Sequence, residues 1–485
     1  MIITRDWITK DILVYQHNQK TLELDKVFNY KQFCEMIDFW KLILIDKYNA
    51  KPGEQCLIDF SDLNVYYSSA IFAAAELGLI LVVDFPHCYN EDDLNSYRVN
   101  MHGPIDYIIT QHHKYDASDS GYNEWDCKRN AYIGKQVIFQ EDLYDYKVQN
   151  TELFKTITDT IWATSESTLI HSASSGTTGA PSKIVNSHNK VYAMAERMGR
   201  LLGFAQEDRV LHIRNIHHGA GMAYHFLPSF HIVKEHYTYV PANYNDLTDL
   251  IKFVEDNKIT FLFLYLQQLM MNYLRATPKF DRHVKITTLF HITEEAVQLV
   301  KDKNIQFIRS LFGDTTIGQG FFLKYVDKFT DLFTYDVSNQ GTKLDDFFGI
   351  AVLDGKLHIE IPSLGETWKT SNDRFDVINN EYYFRGRANQ YRINYEWVQQ
   401  ADVEREVREH FSDDANVVFD PEHERIYLAV WNKNDLAYSK VLEYFIANYK
   451  NVSISYVMND QNKEEFFNSR KIDNNKIREY CRKQL

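Results

Sequence analysis

Apolar positions between Phe28 and about residue 50 recur at helical spacing and predict a helix, which Lys51-Pro52-Gly53 breaks. Cys56–Phe60 reads as a short strand. Val65 to Leu77 reads as a buried helix, stopped by Gly78; Leu79 to Asp84 is a continuous apolar strand. Ile105–Thr110 and Val137–Gln140 continue this alternation, and the polar stretch 114–135 reads as a loop. Helix–turn–strand units whose strands are apolar on both faces indicate a parallel sheet covered by helices. A second set follows from Val191 to about 330. Val210–Arg214, Thr260–Tyr265 and Ile286–Phe290 are its predicted strands; Ala242–Asp256, Gln267–Ala276 and Glu294–Lys303 are its predicted helices. From about 343 the pattern changes to short strands, at Gly349–Leu353, Lys356–Ile361 and Glu381–Phe384, with a hairpin turn at Asn379-Asn380. After Arg387 a smaller α+β region is predicted, with helices near 399–410 and 435–449.

A chain of 485 residues is long enough for two or three domains and a large core. The apolar share of 45% and charged share of 25% are ordinary for a globular protein. The net charge of −14 argues against a partner such as duplex nucleic acid, whose binding rests on Lys and Arg meeting phosphates. Cys34, Cys56, Cys88, Cys127 and Cys481 have no metal-ligand or redox-motif spacing, so they read as reduced thiols. The N-terminal residues lack a signal-peptide layout. The most apolar stretch, Ser69 to Val83, is interrupted by Glu76 and is too short to span a bilayer. A soluble, cytoplasmic protein with no membrane partner is the expectation.

The candidate chemistry begins at Ser172-Ala-Ser-Ser-Gly-Thr-Thr-Gly-Ala-Pro-Ser-Lys183, just after the apolar stretch Ser167–Ile170. Gly176 and Gly179 let the backbone turn tightly, so that amide N–H groups can point inward. Hydroxyls of Ser174, Ser175, Thr177 and Thr178 add donors for phosphate oxygens, and Lys183 adds positive charge. The string is neither a Walker loop, which needs adjacent Gly-Lys, nor a nucleophile elbow, which needs Gly two residues either side of Ser. The bland alternative is a flexible Ser/Gly loop.

The same string resembles the signature loop of the adenylate-forming superfamily: acyl- and aryl-CoA synthetases, luciferases and peptide-synthetase adenylation domains. Further segments resemble that family in the same order. Asn29-Tyr-Lys-Gln-Phe33 with Lys51-Pro-Gly53 resembles its opening helix and turn, and Ala74 through Pro86 its next helix–strand unit. Asn186-Ser-His188 follows the loop, and His218-Gly-Ala-Gly221-Met222 resembles its His-x-x-Gly turn beside the acyl pocket. Phe312-Gly-Asp-Thr-Thr316 resembles the aromatic-Gly-x-Thr-Glu segment, and Trp368-Lys-Thr-Ser-Asn-Asp373 the Thr-Gly-Asp segment. Gly386-Arg-Ala-Asn-Gln390 resembles the hinge, and Asn468-Ser-Arg-Lys-Ile-Asp473 the C-terminal Gly-Lys-(Ile/Val)-Asp segment. The likeness therefore runs over nearly the whole chain, and ordered matches over that length are far more specific than any one of them.

The resemblance implies an α/β fold. Residues 1–386 would form a large ATP- and acid-binding domain, of mostly parallel sheets covered by helices plus a β-rich subdomain. Residues 387–485 would form a small mobile α+β domain carrying the catalytic lysine. It implies an ATP-dependent, AMP-forming ligase in which a small carboxylic acid attacks the α-phosphate of ATP, giving an acyl-adenylate and pyrophosphate. Two anions must meet, so positive charge and oriented donors are the main requirement. By resemblance, residues 174–179 would hold the β- and γ-phosphates and Phe312 would stack on adenine, with Gly313 also among the nucleotide-binding residues. Thr315 would donate to the α-phosphate, and Asp373 and Arg387 would contact the ribose. Lys471 would bridge carboxylate and phosphate in the transition state, and His218 would stand beside the acid. Coenzyme A, or the phosphopantetheine thiol of a carrier protein, would then take the acyl group after the small domain rotates.

The sequence departs from the family in several places. Thr316 stands where the family has its Mg²⁺-binding Glu, with Asp314 nearby, so the metal ligand stays unassigned. Ser182 replaces the loop's usual Lys, one place before Lys183. Thr370-Ser-Asn-Asp373 has an extra residue, which leaves Asn372 a rival to Asp373. The hinge strand Tyr391-Arg-Ile-Asn-Tyr-Glu396 lacks the usual Gly, and Ile292-Thr-Glu-Glu295 stands where the family has a small-residue turn. His217 and His218, with His212 and His225, suggest metal at first sight, but no carboxylate or Cys has matching spacing and a pocket wall is the preferred reading. The segment at 217–221 lacks the Asp of amino-acid-activating relatives, which favours an acid without an α-amino group. Two alternatives stay open: adenylation with transfer to an amine or amino-acid activation, and a non-catalytic nucleotide-binding relative.

Overall fold

The computed structural model describes residues 1–18, 21–59, 65–83, 105–110, 133–138, 154, 156–173, 183–213, 221–239, 246–264, 267–279, 283–288, 292, 294–314, 318–331, 339–387, 390–393, 396–399, 415–420, 425–430, 453–458, 467–468, 471–472 and 474–484. They fall into two compact units, one drawn from Met1–Val337 and the other from Ser338–Leu485.

The first unit opens with a hairpin of β1 (Leu13–His17) and β2 (Leu24–Asn29). The helix Tyr30–Leu42 follows, two residues later than the apolar spacing suggested, because Asn29 caps it. The Asn29 side chain accepts from the Gln32 N–H while Gln32 accepts from the Asn29 N–H, a reciprocal box that stabilises a helix start by about 1 kcal/mol. A π-helical turn, Ile43–Lys47, ends it.

A first sheet runs β6-β5-β3-β4-β7-β8, from β3 (Gln55–Asp59), β4 (Ile80–Val83), β5 (Ile105–Thr110), β6 (Ile133–Ile138), β7 (Thr168–Ala173) and β8 (Lys183–Ser187). All pairs are parallel except β7 with β8. β6 starts at Ile133, inside the stretch expected to be a loop; Gly134, Lys135 and Gln136 hide it from an apolar pattern. The helix Val65–Glu76 is buried along nearly its whole length, which its run of Ala and Ser permits, and Gly78 ends it at φ 64°.

The second sheet of this unit comprises β9 (Arg209–His212), β10 (Glu235–Thr238), β11 (Phe261–Phe263), β12 (Lys285–Thr288), β13 (Phe307–Asp314) and β14 (Gly318–Asp327), together with β1 and β2. Its order is β14-β13-β12-β11-β9-β10-β1-β2. From β13 to β1 every neighbouring pair is parallel. The helices Thr248–Asp256, Gln267–Ala276 and Glu294–Asp302 supply its intervening layer, burying Leu250, Phe253, Leu269, Met270, Ala296 and Val300 against Leu211, Leu262, Ile286 and Ile308. The first of these starts at Thr248 rather than Ala242, because Asp246 accepts from both the N–H and the hydroxyl of Thr248 and turns the chain there.

Glu76, the charge that interrupts the apolar stretch, is fully buried. Its carboxylate accepts from Arg5 N–H, Arg5 Nε and Nη2, and Lys41 Nζ, at 2.7–2.9 Å. Arg5 also reaches Asp38 at 2.6 Å, and Lys41 also donates to Thr158 O. Burial raises the Glu76 pKa, but the Arg5 and Lys41 bonds outweigh it and hold it below the ordinary value. Lys41 is shifted down, because burial outweighs its attraction to Glu76.

In the second unit β15 (Asn339–Lys343), β16 (Gly349–Leu353), β17 (Lys356–Ile361), β18 (Glu366–Ile378) and β19 (Glu381–Arg387) run antiparallel in the order β16-β17-β18-β19-β15. The Asn379-Asn380 turn forms as predicted, with φ 52° and 65° at the two residues, the left-handed pair a tight hairpin needs. Then come the hairpin β20 (Gln390–Ile393) with β21 (Glu396–Gln399) and the sheet of β22 (Ala415–Asp420), β23 (Arg425–Val430) and β24 (Ser453–Met458). The short pair β25 (Phe467–Asn468) and β26 (Lys471–Ile472) follows. The final helix, Asn474–Gln484, packs Ile477 and Cys481 on Val418 and Tyr427, and its Arg482 grips buried Asp420 at 2.5 and 2.7 Å. Of the helix predicted near 399–410, Gln399 instead ends a strand and the rest lies outside the described residues, as does the helix predicted near 435–449. Among the described residues Cys34, Cys56 and Cys481 are free thiols, and no helix is long and apolar enough to cross a membrane.

Candidate active site

In open parallel sheets ligands bind beyond the carboxyl ends of the strands. Three candidate segments leave the first unit from such ends. The proposed phosphate loop follows Ala173, the last residue of β7. Ala173 pairs with Lys183, the first residue of β8, so the two ends of the loop are strand partners. Lys183 is exposed, and partial desolvation lowers its pKa. Ser174, Ser175, Gly176, Thr177, Thr178 and Gly179 themselves lie outside the described residues. The segment carrying His218 follows β9, and His218 also lies outside them. Phe312-Gly313-Asp314 is the carboxyl end of β13. Because β9, β11, β12 and β13 are mutually parallel, the His218 segment and Phe312 start from the same edge of one sheet.

Phe312 and Gly313 are half-buried. The Phe312 ring lies 6.0 Å from that of its cross-strand partner Phe322, tilted by 30°. The ladder slips there: Phe312 faces Phe322 but Asp314 faces Gly318, an irregularity of the kind that re-aims residues beside sites. Thr315 and Thr316 fall outside the described residues.

In the second unit Asp373 on β18 stands directly opposite Arg387 on β19. Asp373 is buried, with its N–H donating to Ser371 Oγ at 3.2 Å and its Oδ2 accepting from the same hydroxyl at 3.3 Å. The extra residue in Thr370-Ser-Asn-Asp373 has a structural counterpart. On the β17 side His358 pairs with Thr370 but Lys356 pairs with Arg374, so β18 bulges across the segment. Sequence reasoning passed over Ser371; it lies two residues before Asp373, the period that puts strand residues on one face. Lys471 begins β26 opposite Asn468.

His212 and His225, entertained as metal ligands, lie in an aromatic core with His236, which the sequence reading missed. His212 Nε2 lies 3.1 Å from His236 Nδ1, His236 Nε2 lies 3.0 Å from Val233 O, and the His225 ring stacks on Phe263 at 4.8 Å. Neither ring nitrogen of His225 has a hydrogen-bond partner. Burial pushes His225 down to about 3 and His236 to about 4, and His212 well below its ordinary value, so all three are neutral. Among the described residues no group of three His, Cys, Asp or Glu side chains is arranged to hold a metal.

These elements define a mixed α/β fold of largely parallel sheets layered with helices. The sequence matches the family model described as AMP-binding enzyme over residues 22–320, and the chain belongs to that family. No curated protein matches it. Solved structures share the fold at low identity. The o-succinylbenzoate coenzyme A synthetase of Bacillus subtilis, in complex with AMP, is 14% identical; the match covers 97% of this chain and 96% of that one, with a TM-score of 0.72. The anthranilate CoA ligase AuaEII, in complex with anthranoyl-AMP, is 12% identical over 95% and 94%, TM-score 0.65. McyG A-PCP, complexed with phenylalanyl-adenylate, is 13% identical over 97% and 92%, TM-score 0.68.

Proposed function

We propose that the protein is an AMP-forming acid–thiol ligase that activates a small carboxylic acid with ATP and passes the acyl group to a thiol. The observation that carries this reading is the in-register pairing of Asp373 with Arg387, in a chain belonging to the AMP-binding enzymes. Asp373 accepts from the ribose hydroxyls and Arg387 contacts the same sugar. Phe312, with Gly313 giving the nucleotide room, stacks on adenine.

A carboxylate oxygen of the acid attacks the α-phosphorus of ATP. A P–O bond forms, the bond to the β-phosphate oxygen breaks, and the electron pair leaves with pyrophosphate. The Ser/Thr/Gly loop at 174–179 and Lys183 hold the phosphates, Thr315 donates to the α-phosphate, and Lys471 offsets the charge gathered there. His218 stands beside the acid. The thiol of coenzyme A or of a carrier protein next attacks the acyl carbon, AMP leaves, and the thiol proton passes to solvent. Magnesium, when bound, would neutralise phosphate charge. It keeps several waters and needs few protein ligands, so the lack of a three-residue cluster among the described residues is compatible with it, and Asp314 is the carboxylate that ends β13.

The 387–485 region carrying Lys471 is, on this reading, the part that moves between the two half-reactions. The named neighbours suggest both kinds of thiol, since two are named for joining an acid to coenzyme A and one includes a carrier protein. ATP–pyrophosphate exchange over a panel of carboxylic acids tests the first half-reaction. Label is expected to enter ATP with at least one acid, and exchange with none refutes the proposal. Adding coenzyme A should then give AMP and a thioester; AMP accumulating only with an amine would replace the thiol by an amine acceptor.

A further inference from the structure

Ser371 is 2% exposed and Asp373 6%, so both side chains sit inside the second unit. A buried carboxylate is costly unless hydrogen-bonded, and its rotamer is set by what bonds it. Here one hydroxyl does two things at once. Ser371 Oγ accepts from the Asp373 N–H and donates to Asp373 Oδ2. A serine hydroxyl has one hydrogen and two lone pairs, so both contacts can be made together. They span only two residues, and they lie where β18 bulges against β17 and where its pairing with β19 slips between Asp373 and Phe375. Irregular ladders leave side-chain direction less determined by the strand itself, and a local hydroxyl clamp supplies what the ladder does not.

We infer that Ser371 is a positioning residue, which holds the Asp373 carboxylate at the angle that receives the two ribose hydroxyls of the nucleotide. The inference rests on the ATP-activating reading above and adds to it. Without the hydroxyl the carboxylate turns more freely, and part of the ribose contact is lost while the phosphates are held as before.

The test compares ATP with 2′,3′-dideoxy-ATP, which lacks both ribose hydroxyls, in pyrophosphate exchange and in equilibrium binding. Wild type should prefer ATP. Ser371→Ala should raise the KM for ATP about fivefold, the scale of losing one ordinary hydrogen bond, with kcat within about twofold. The same variant should bind the dideoxy nucleotide as wild type does. Ser371→Thr keeps the hydroxyl and should restore ATP binding to within about twofold. Should Ser371→Ala fail to fold, Ser371→Cys, similar in volume but a weak donor, carries the same comparison.

Equal weakening toward both nucleotides would mark Ser371 as merely structural and overturn the inference, as would unchanged ATP binding. Either result, with wild type still exchanging pyrophosphate, leaves the proposed function standing. A wild-type protein that neither binds ATP nor exchanges with any acid overturns the proposed function, and the role of Ser371 with it.

Discussion

Replacing Glu76 removes the centre of a buried charge network in the first unit. Its carboxylate takes four donors, from the Arg5 backbone, two Arg5 guanidinium nitrogens and Lys41. Lys41 and Glu76 side chains are both 0% exposed, so Glu76→Leu strands an ammonium with only Thr158 O and the more distant Asp38 carboxylate, 3.9 Å away. Breaking a buried ion pair by removing one partner costs about 3–5 kcal/mol. Lys41→Met should be milder, because Arg5 continues to satisfy Glu76 and because burial already works against the lysine's charge. The double variant Glu76→Leu with Lys41→Met should therefore be more stable than the sum of the singles implies, by about 1–3 kcal/mol. Urea unfolding of the four proteins at pH 7, followed by circular dichroism and near-ultraviolet absorbance, measures this. A loss below about 1 kcal/mol for Glu76→Leu, or additive singles, would refute the account of the network.

Acid should destabilise the protein below about pH 6.5. His225 and His236 have folded pKa values depressed to about 3 and about 4, so the unfolded chain binds protons that the folded one refuses as pH falls from 6.5 toward those values. Each costs about 2 kcal/mol at pH 5, and His225→Leu should flatten that limb of the stability–pH curve; an unchanged limb would contradict it. Gly203 has φ 72°, and a Cβ there would lie 2.9 Å from Arg309 Nη1, whose guanidinium caps Leu201 O. Gly203→Ala should lower stability by about 1–2 kcal/mol in the same urea assay, and a neutral result would mean that Arg309 yields freely.

The repeating units of the first unit could be read from the sequence because their periodicity is local. The buried helix Val65–Glu76, the helix Gln267–Ala276 and the Asn379-Asn380 hairpin each depend on residues within one short window. β1 and β2 went unread: β1 is parallel to β10, so its apolar positions answer to Glu235–Tyr237 rather than to a local alternation. The long strands β13, β14 and β18 were likewise hidden by glycines, charges and bulges. Glu76 marked the stretch as no membrane span, yet its burial needs Arg5 and Lys41, which are far from it in sequence. At the candidate site, the identities of Asp373 and Arg387 came from ordered motifs, whereas their direct pairing comes from strand register and the Ser371 clamp from the bulge in β18. His236 escaped because nothing in its own segment foretells that β9 and β10 will set it beside His212.

The most direct test of the central claim is to identify which bond of ATP breaks. Wild type and Lys471→Ala are incubated with ATP, magnesium and the acid that supports exchange, and the products are resolved by mass spectrometry before any thiol is added. Wild type should give an acyl-adenylate and pyrophosphate, with formation slowed at least about a hundredfold in Lys471→Ala, the scale of losing one transition-state charge contact. Formation of ADP and phosphate, or an acyl-adenylate made as fast by Lys471→Ala as by wild type, would contradict it.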